Sequence, residues 1–290
     1  MIPPPGEPLG YPEPWPAPAK LNLCLHIVGR RADGYHLLQT AFQFVDLTDT
    51  VQFYRRPAGV IERVAGPADV PPHEDLAMRA ARALGEGRNL PGVAIAIDKR
   101  IPLGGGLGGG SSDAATVLVA LNRLWRLRLA TPELAAIGLR LGADVPIFVS
   151  GRAAWAEGVG ERLTFCDWPE KPYLLVYPGT PVTTHSVFQA PELTRNSTVT
   201  TIRDFLARGG HNDCTSVVRA LYREVSEALD FLGQFGEPKL TGTGACVFLP
   251  VSDERAAERI GAQLPQHWHS WFVRGSNASP LFARLAQEGE

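Results

Sequence analysis

The stretch Ile101-Pro102-Leu103-Gly104-Gly105-Gly106-Leu107-Gly108-Gly109-Gly110-Ser111-Ser112-Asp113-Ala114-Ala115 carries the clearest chemistry in this chain, and it runs straight into a helical pattern through Leu121. Glycine lets a backbone approach an anion closely and turn its N–H groups inward. A helix start adds unpaired donors and about half a positive charge. Together they describe a cradle for phosphates. A flexible hinge is the plain alternative, but Ser111 and Ser112 ahead of a strong helix read as an anion-binding cap.

Two familiar phosphate loops fit poorly. Gly104, Gly106 and Gly109 satisfy G-x-G-x-x-G, yet so dense a run satisfies several patterns, and Asp98 to Pro102 separates it from its strand. No Gly-Lys-Ser/Thr closes the run as a Walker loop requires. A second point of chemistry is Lys20, a cation inside the alternating segment Ala19 to Val28. It is costly there unless it finds a partner, or it snorkels to solvent from a strand edge.

The glycine run is similar to the central motif of the GHMP kinases, with Pro102, Gly106-Leu107-Gly108, and Ser111-Ser112 before small residues. Pro18 to Leu23 with Gly29 to His36 resembles an N-terminal signature, Leu141 to Pro146 a catalytic segment, and Leu240 to Ala245 a third glycine motif. The resemblance spans Trp15 to Pro280. It implies an α+β, two-domain fold, with an N-terminal ribosomal-protein-S5-domain-2-like domain and a C-terminal ferredoxin-like α/β sandwich. It also implies an ATP- and Mg²⁺-dependent phosphotransferase acting on an alcohol. The three glycines before the serines resemble the branch whose acceptor is a sugar-alcohol carrying a cytidine diphosphate. A homoserine or mevalonate type of kinase, or an inactive nucleotide sensor, is the rival reading.

The resemblance assigns roles residue by residue. Asp144 is the base that takes the hydroxyl proton, although an Ala-Asp-Val-Pro by itself reads as a turn or helix cap. Lys20 is its cation, and Asn22, two residues on and facing the same side, orients a substrate oxygen. Pro102, Leu103, Gly104, Gly105, Gly106, Leu107, Gly108, Gly109, Gly110, Ser111 and Ser112 bind the ATP phosphates, the serines also helping to hold Mg²⁺. Lys99 lies beside the nucleotide base. Glu157 is one carboxylate candidate for the metal, and a surface turn explains it equally well. Tyr35 and Phe188 form a clamp for the cytosine, or simply pack in the core, and His36 reads the base edge. Thr241, Gly242 and Gly244 face the diphosphate or close the site. The family's Glu-Asp-Asn-Leu is replaced by His73-Glu74-Asp75-Leu76, so Asp75 takes over a contact to the adenine or its ribose.

The elements that must position these residues follow from periodicity. Strands are predicted at Ala19–Val28, Leu38–Phe44, Thr50–Tyr54, Val93–Ile97, Tyr173–Tyr177, Cys246–Leu249 and Trp271–Val273. Helices are predicted at Glu74–Leu84, after the glycine loop, from Thr131, and at Val199–Ala207, Cys214–Phe231 and Glu254–Leu264, with Asn212-Asp213 as a cap. The proline-rich residues 1–14 read as a disordered, polyproline-like arm. A domain boundary near Phe165 to Lys171 divides a nucleotide-binding and catalytic part, 15–166, from a substrate-side part, 167–290.

Composition bounds the rest. With 44% hydrophobic and 20% charged residues the chain reads as an ordinary globular protein. A formal net charge of −2 points to neither nucleic acid nor a membrane surface. Cys24, Cys166, Cys214 and Cys246 form no C-x-x-C pair, which suits a reduced, cytoplasmic setting. His267-x-His269 has no further ligand nearby, so it carries no metal site. A homodimer is compatible with the resemblance.

Overall fold

Apolar alternation from Trp15 onward builds a long hairpin that frames the molecule. The computed structural model describes residues 6–288. Its first part holds β1 (Trp15–Arg30), β2 (His36–Arg56), β3 (Ile61–Ala65), α1 (Leu76–Gly85), β4 (Gly92–Asp98), α2 (Gly109–Leu124), α3 (Thr131–Leu141), α4 (Val145–Ser150), β5 (Ala154–Gly158) and β6 (Arg162–Phe165). The second holds β7 (Pro172–Tyr177), α5 (Thr184–Gln189), α6 (Ile202–Arg208), α7 (Thr215–Leu221), α8 (Arg223–Leu232), β8 (Lys239–Leu240), β9 (Val247–Pro250), α9 (Glu254–Gly261), β10 (His269–Ser276) and α10 (Pro280–Gln287).

The spine is β2. It pairs antiparallel with β1, β4 and β5, and meets β10 at Val45 and Phe44. The sheet runs β3-β4-β2-β10-β7-β9-β8. Helix α2 is apolar nearly all round, as a buried helix must be, and packs with α1, α4 and the β1/β2/β4 face in one core containing Leu118, Met78, Phe148 and Ile95. A second core under α7, α8 and α9 gathers Val218, Leu229 and Val247 and takes Leu25 and Ile27 from β1. The free edge of β1 is not left open, which would be an aggregation hazard. Leu107 O accepts from Lys20 N at 3.0 Å, Thr241 Oγ1 from Asn22 N at 3.0 Å, and His211 O from Leu25 N at 2.9 Å. Both glycine motifs are thereby docked on the strand that carries Lys20.

Several expectations need correcting. The strands expected at Leu38–Phe44 and Thr50–Tyr54 are one, because the intervening polar residues find distant partners: Asp46 accepts from Arg274 N, and Asp49 from Arg100 N and Ile101 N. Of the expected disordered arm, residues 1–5 lie outside the described residues, but Glu7 to Leu9 pair with the end of β2. Arg55 N donates to Glu7 O at 2.9 Å and Leu9 N to Phe53 O at 2.8 Å, satisfying edge groups beyond the reach of β1. The helix expected over Cys214–Phe231 breaks at Tyr222, whose extended backbone separates α7 from α8. Asn212 does accept from Cys214 N, but Asp213 binds Ile27 N and Ser197 Oγ instead of capping. The substrate-side part also loses its last helix: α10 returns to the first core, with Leu281 buried there. Among the described residues no helix is long and apolar enough to cross a membrane.

Candidate active site

Between the two cores lies a cleft of about 770 Å³. Its floor is the glycine loop. Gly104, Gly106 and Gly108 adopt φ of 66°, 73° and 73°, a left-handed region that only glycine enters cheaply. The loop's carbonyls are already committed. Gly104 O accepts from Val182 N and Ala245 N, Gly105 O from Cys246 N, and Gly106 O from Lys20 Nζ at 2.9 Å. Among the described residues, the amides of residues 104 to 111 find no protein acceptor. Carbonyls turned away and amides left over, at the start of α2, make an anion site.

At one side of this floor the side chain of Lys20, 2% exposed, lies 3.5 Å from Asp144 Oδ2, which is 36% exposed. An ammonium has three donors; two are used on Asn22 Oδ1 and Gly106 O, and Asp144 stands beside the same charge at ion-pair distance. Its Nζ lies 5.5 Å from the centre of the Phe42 ring, and a Cβ on Gly108 would stand 3.2 Å from Lys20 Cε. Asn22 is itself aimed by donating to Thr40 Oγ1, which donates to Cys24 O. Asp144 occupies the N-cap position of α4 but its side chain makes no capping bond. The carboxylate is therefore free to act at the cleft. The cap reading is set aside by that geometry.

Lys99 bridges Asp49 on β2 and Asp113 on α2. Burial opposes its charge, but Asp113 and Asp49 together outweigh burial and raise its pKa. One cation serves two carboxylates, so a negative charge is in surplus. That cost falls on Asp113, whose pKa burial pushes up to about 7, Lys99 opposing and Asp49 adding to the rise. Asp113 Oδ1 and Ser112 Oγ are buried without partners. Lys99 thus ties the end of β4 to the first turns of α2, beneath the loop, and lines the cleft.

The opposite side of the cleft carries aromatic groups. The His36 ring stacks on Phe188 at 4.9 Å and 19°, and Tyr35, 63% exposed, stands on the rim in the β1–β2 turn. Burial, with the Arg195 and Arg30 guanidiniums beside it, holds the His36 imidazole below its usual pKa. Gly242 lines the cleft, whereas Thr241 lies behind it, fully buried, and joins Asn22 N to the loop. Gly244 packs against Leu240, Val218 and Val182. Sequence reasoning missed Thr184, His185, Arg30 and Arg195; the first three line the cleft, and Arg195 supports it from behind. Only the neighbourhood of Phe188 could have drawn attention to α5.

Two expected contacts are corrected. Glu157 is not in the cleft: on β5 it accepts from Gln39 Nε2 at 2.9 Å, its register partner. Asp75 is committed to capping α1 through Ala77 N and to Arg63 at 2.7 Å, and it is buried and does not line the cleft. Among the described residues no group of three or more His, Cys, Asp or Glu is placed to hold a metal.

Residues 75–152 match the family described as GHMP kinases N terminal domain, and residues 191–270 that described as GHMP kinases C terminal. The chain is 54% identical over 276 residues to the 4-diphosphocytidyl-2-C-methyl-D-erythritol kinase of Alkalilimnicola ehrlichii, with 94% of each chain covered. It is 51% identical over 283 residues to the enzyme of that name from Chromohalobacter salexigens, with 95% of each covered. A crystal structure of 4-(cytidine 5'-diphospho)-2C-methyl-D-erythritol kinase matches with a TM-score of 0.76 at 34% identity, over 91% of this chain and 99% of that one. A mevalonate kinase structure, at 16% identity and a TM-score of 0.66, shares the fold.

Proposed function

This chain belongs to the GHMP kinase family, and from that premise we propose that it transfers the terminal phosphoryl group of ATP to the 2-hydroxyl of 4-diphosphocytidyl-2-C-methyl-D-erythritol, a step toward isoprenoid precursors. Relatives at about half identity over nearly the whole chain bear the name of that kinase. The observation that carries the reading is one cleft lined by the unpaired loop amides, the Lys20–Asp144 pair and the His36–Phe188 stack.

Asp144 accepts the proton of the 2-hydroxyl as its oxygen bonds to phosphorus. Lys20, held by Asn22 and Gly106 O, balances the charge that develops on that oxygen. The amides of residues 104 to 111 and the positive end of α2 hold the phosphates and the charge left when the bond to ADP breaks. None of these groups must reorganise during transfer. Bound MgATP supplies the phosphoryl group. Ser111, which lines the cleft in the first turn of α2, would hold its Mg²⁺ together with the phosphates themselves, whereas Ser112, expected to share that role, is fully buried and does not line the cleft. The fit is good: a cation that keeps its waters and binds through phosphates needs no carboxylate cage, and one hydroxyl at the loop suffices.

ADP release coupled to NADH oxidation tests this, with the cytidine substrate, its uridine analogue, homoserine and mevalonate as acceptors. Turnover with the cytidine substrate above all others is expected. Preference for homoserine or mevalonate, or no turnover with any acceptor, would overturn the proposal.

A further inference from the structure

We infer that Arg195 is a specificity-determining positioning residue, which fixes His36 as a hydrogen-bond donor from Nδ1 and so favours a pyrimidine with a bare ring nitrogen. The inference rests on the cytidine-substrate reading above. Arg195 Nε donates to His36 Nε2 at 3.2 Å. A guanidinium can only donate, so that ring nitrogen must carry a lone pair. An imidazolium cannot accept there, and neither can the tautomer protonated at Nε2. The proton of the neutral ring therefore sits on Nδ1. Among the described residues that nitrogen has no protein partner, it is not sealed from solvent, and its ring lines the cleft.

The rest of the guanidinium is equally committed. Its Nη2 donates to Phe188 O at 3.1 Å and Ala190 O at 2.7 Å, and its Nη1 to Leu193 O at 3.0 Å. One side chain thus holds both the imidazole and the backbone bearing the ring stacked on it. Cytosine N3 has a lone pair and accepts from an N–H. Uracil N3 bears a hydrogen and cannot. A site built around a fixed donor rejects the base that leaves that donor unpaired. Without the guanidinium the ring could carry its proton on either nitrogen, and it could serve either base.

Two measurements test this. The ¹⁵N spectrum of labelled histidine, with His36 assigned by His36→Gln, reads the tautomer in the parent without any substrate. The ratio of kcat/KM for the cytidine substrate to that for its uridine analogue is then compared in the parent, Arg195→Met and Arg195→Lys. The Nδ1–H tautomer is expected in the parent and a mixture in Arg195→Met, whose ratio falls about tenfold, the equivalent of one hydrogen bond. Arg195→Lys, which restores a donor to Nε2 but not the fan of carbonyl bonds, should keep the tautomer and most of the ratio. An Nε2–H tautomer in the parent overturns the inference, as does an unchanged ratio in Arg195→Met. Equal losses in both variants would reduce Arg195 to a loop scaffold and overturn it too. A parent that ignores the cytidine substrate defeats the activity and with it the selectivity role, while the spectrum still reports the ring geometry independently.

Discussion

Gly106 is where the two glycine motifs touch, and adding one methyl there has a calculable consequence. A Cβ at this position would stand 2.2 Å from Thr241 O, 2.9 Å from Gly244 O and 3.0 Å from Gly244 N, all of them backbone atoms that cannot swing away. The residue also has φ of 73°, where an alanine costs roughly 1–2 kcal/mol. Overpacking against immobile backbone adds about 1–3 kcal/mol. Gly106→Ala should therefore destabilise the fold by about 3 kcal/mol, or roughly 5 °C in Tm for a chain of this size. Pushing the loop off the third motif also pulls Gly106 O from Lys20 Nζ and shifts the amides, so the KM for ATP should rise about tenfold or more. Gly110→Ala is the control for stability alone, because Gly110 lines the cleft and the variant's KM for ATP is free to change. Its Cβ would meet only Leu76 Cδ1 at 3.8 Å, inside a helix where alanine is about 0.5–1 kcal/mol better than glycine. Thermal melts and ADP-release kinetics on both variants decide the matter. A Gly106→Ala protein with the parent's Tm and KM would refute the argument that the two motifs are locked by contact.

Replacing Asp144 with Asn keeps the shape but removes the proton acceptor, so kcat should fall roughly 10²–10⁴-fold with ATP affinity nearly intact, measured by single-turnover kinetics and nucleotide titration. His36 titrates below its ordinary value, so the KM for the cytidine substrate should stay flat as pH falls to about 6.5 and rise only below it. In Arg195→Met that rise should be lost, because an imidazolium keeps its Nδ1–H and no guanidinium is left to oppose a proton on Nε2. Asp113 has its folded pKa raised above the unfolded one. Its cost to folding is therefore absent at low pH and fully present above about 7. The Tm advantage of Asp113→Asn over the parent should widen from acid to alkaline pH in melts taken across that range.

Local signals were legible wherever the chemistry is contiguous in the chain. The glycine loop, the helix behind it and the residues of the β1 strand could be read directly, because a left-handed backbone demands glycine and a buried strand demands alternation. The gap left between Leu38–Phe44 and Thr50–Tyr54 had no such local signal: the distant partners of Asp46 and Asp49, Arg274 N and the Arg100 and Ile101 amides, explain why the strand continues through them. Glu157 and Asp75 were candidates because the resemblance offered them; Gln39 claims the first, and Ala77 N with the distant Arg63 the second. Arg195 gave no local signal at all. Its importance arises from a ring far along the chain and from carbonyls whose direction no residue type encodes.

By itself the sequence pointed to a phosphate cradle, since serial glycines run straight into a helix, and it showed that Lys20 needs a partner. Tertiary structure decided which partner. The pairing of β1 with β2, and the docking of both glycine motifs on the edge of β1, bring Lys20 within 3.5 Å of Asp144 and turn the loop carbonyls away from the cleft. Charge pairing and amide direction depend on distances and orientations between segments remote in sequence, and only the packed chain sets those.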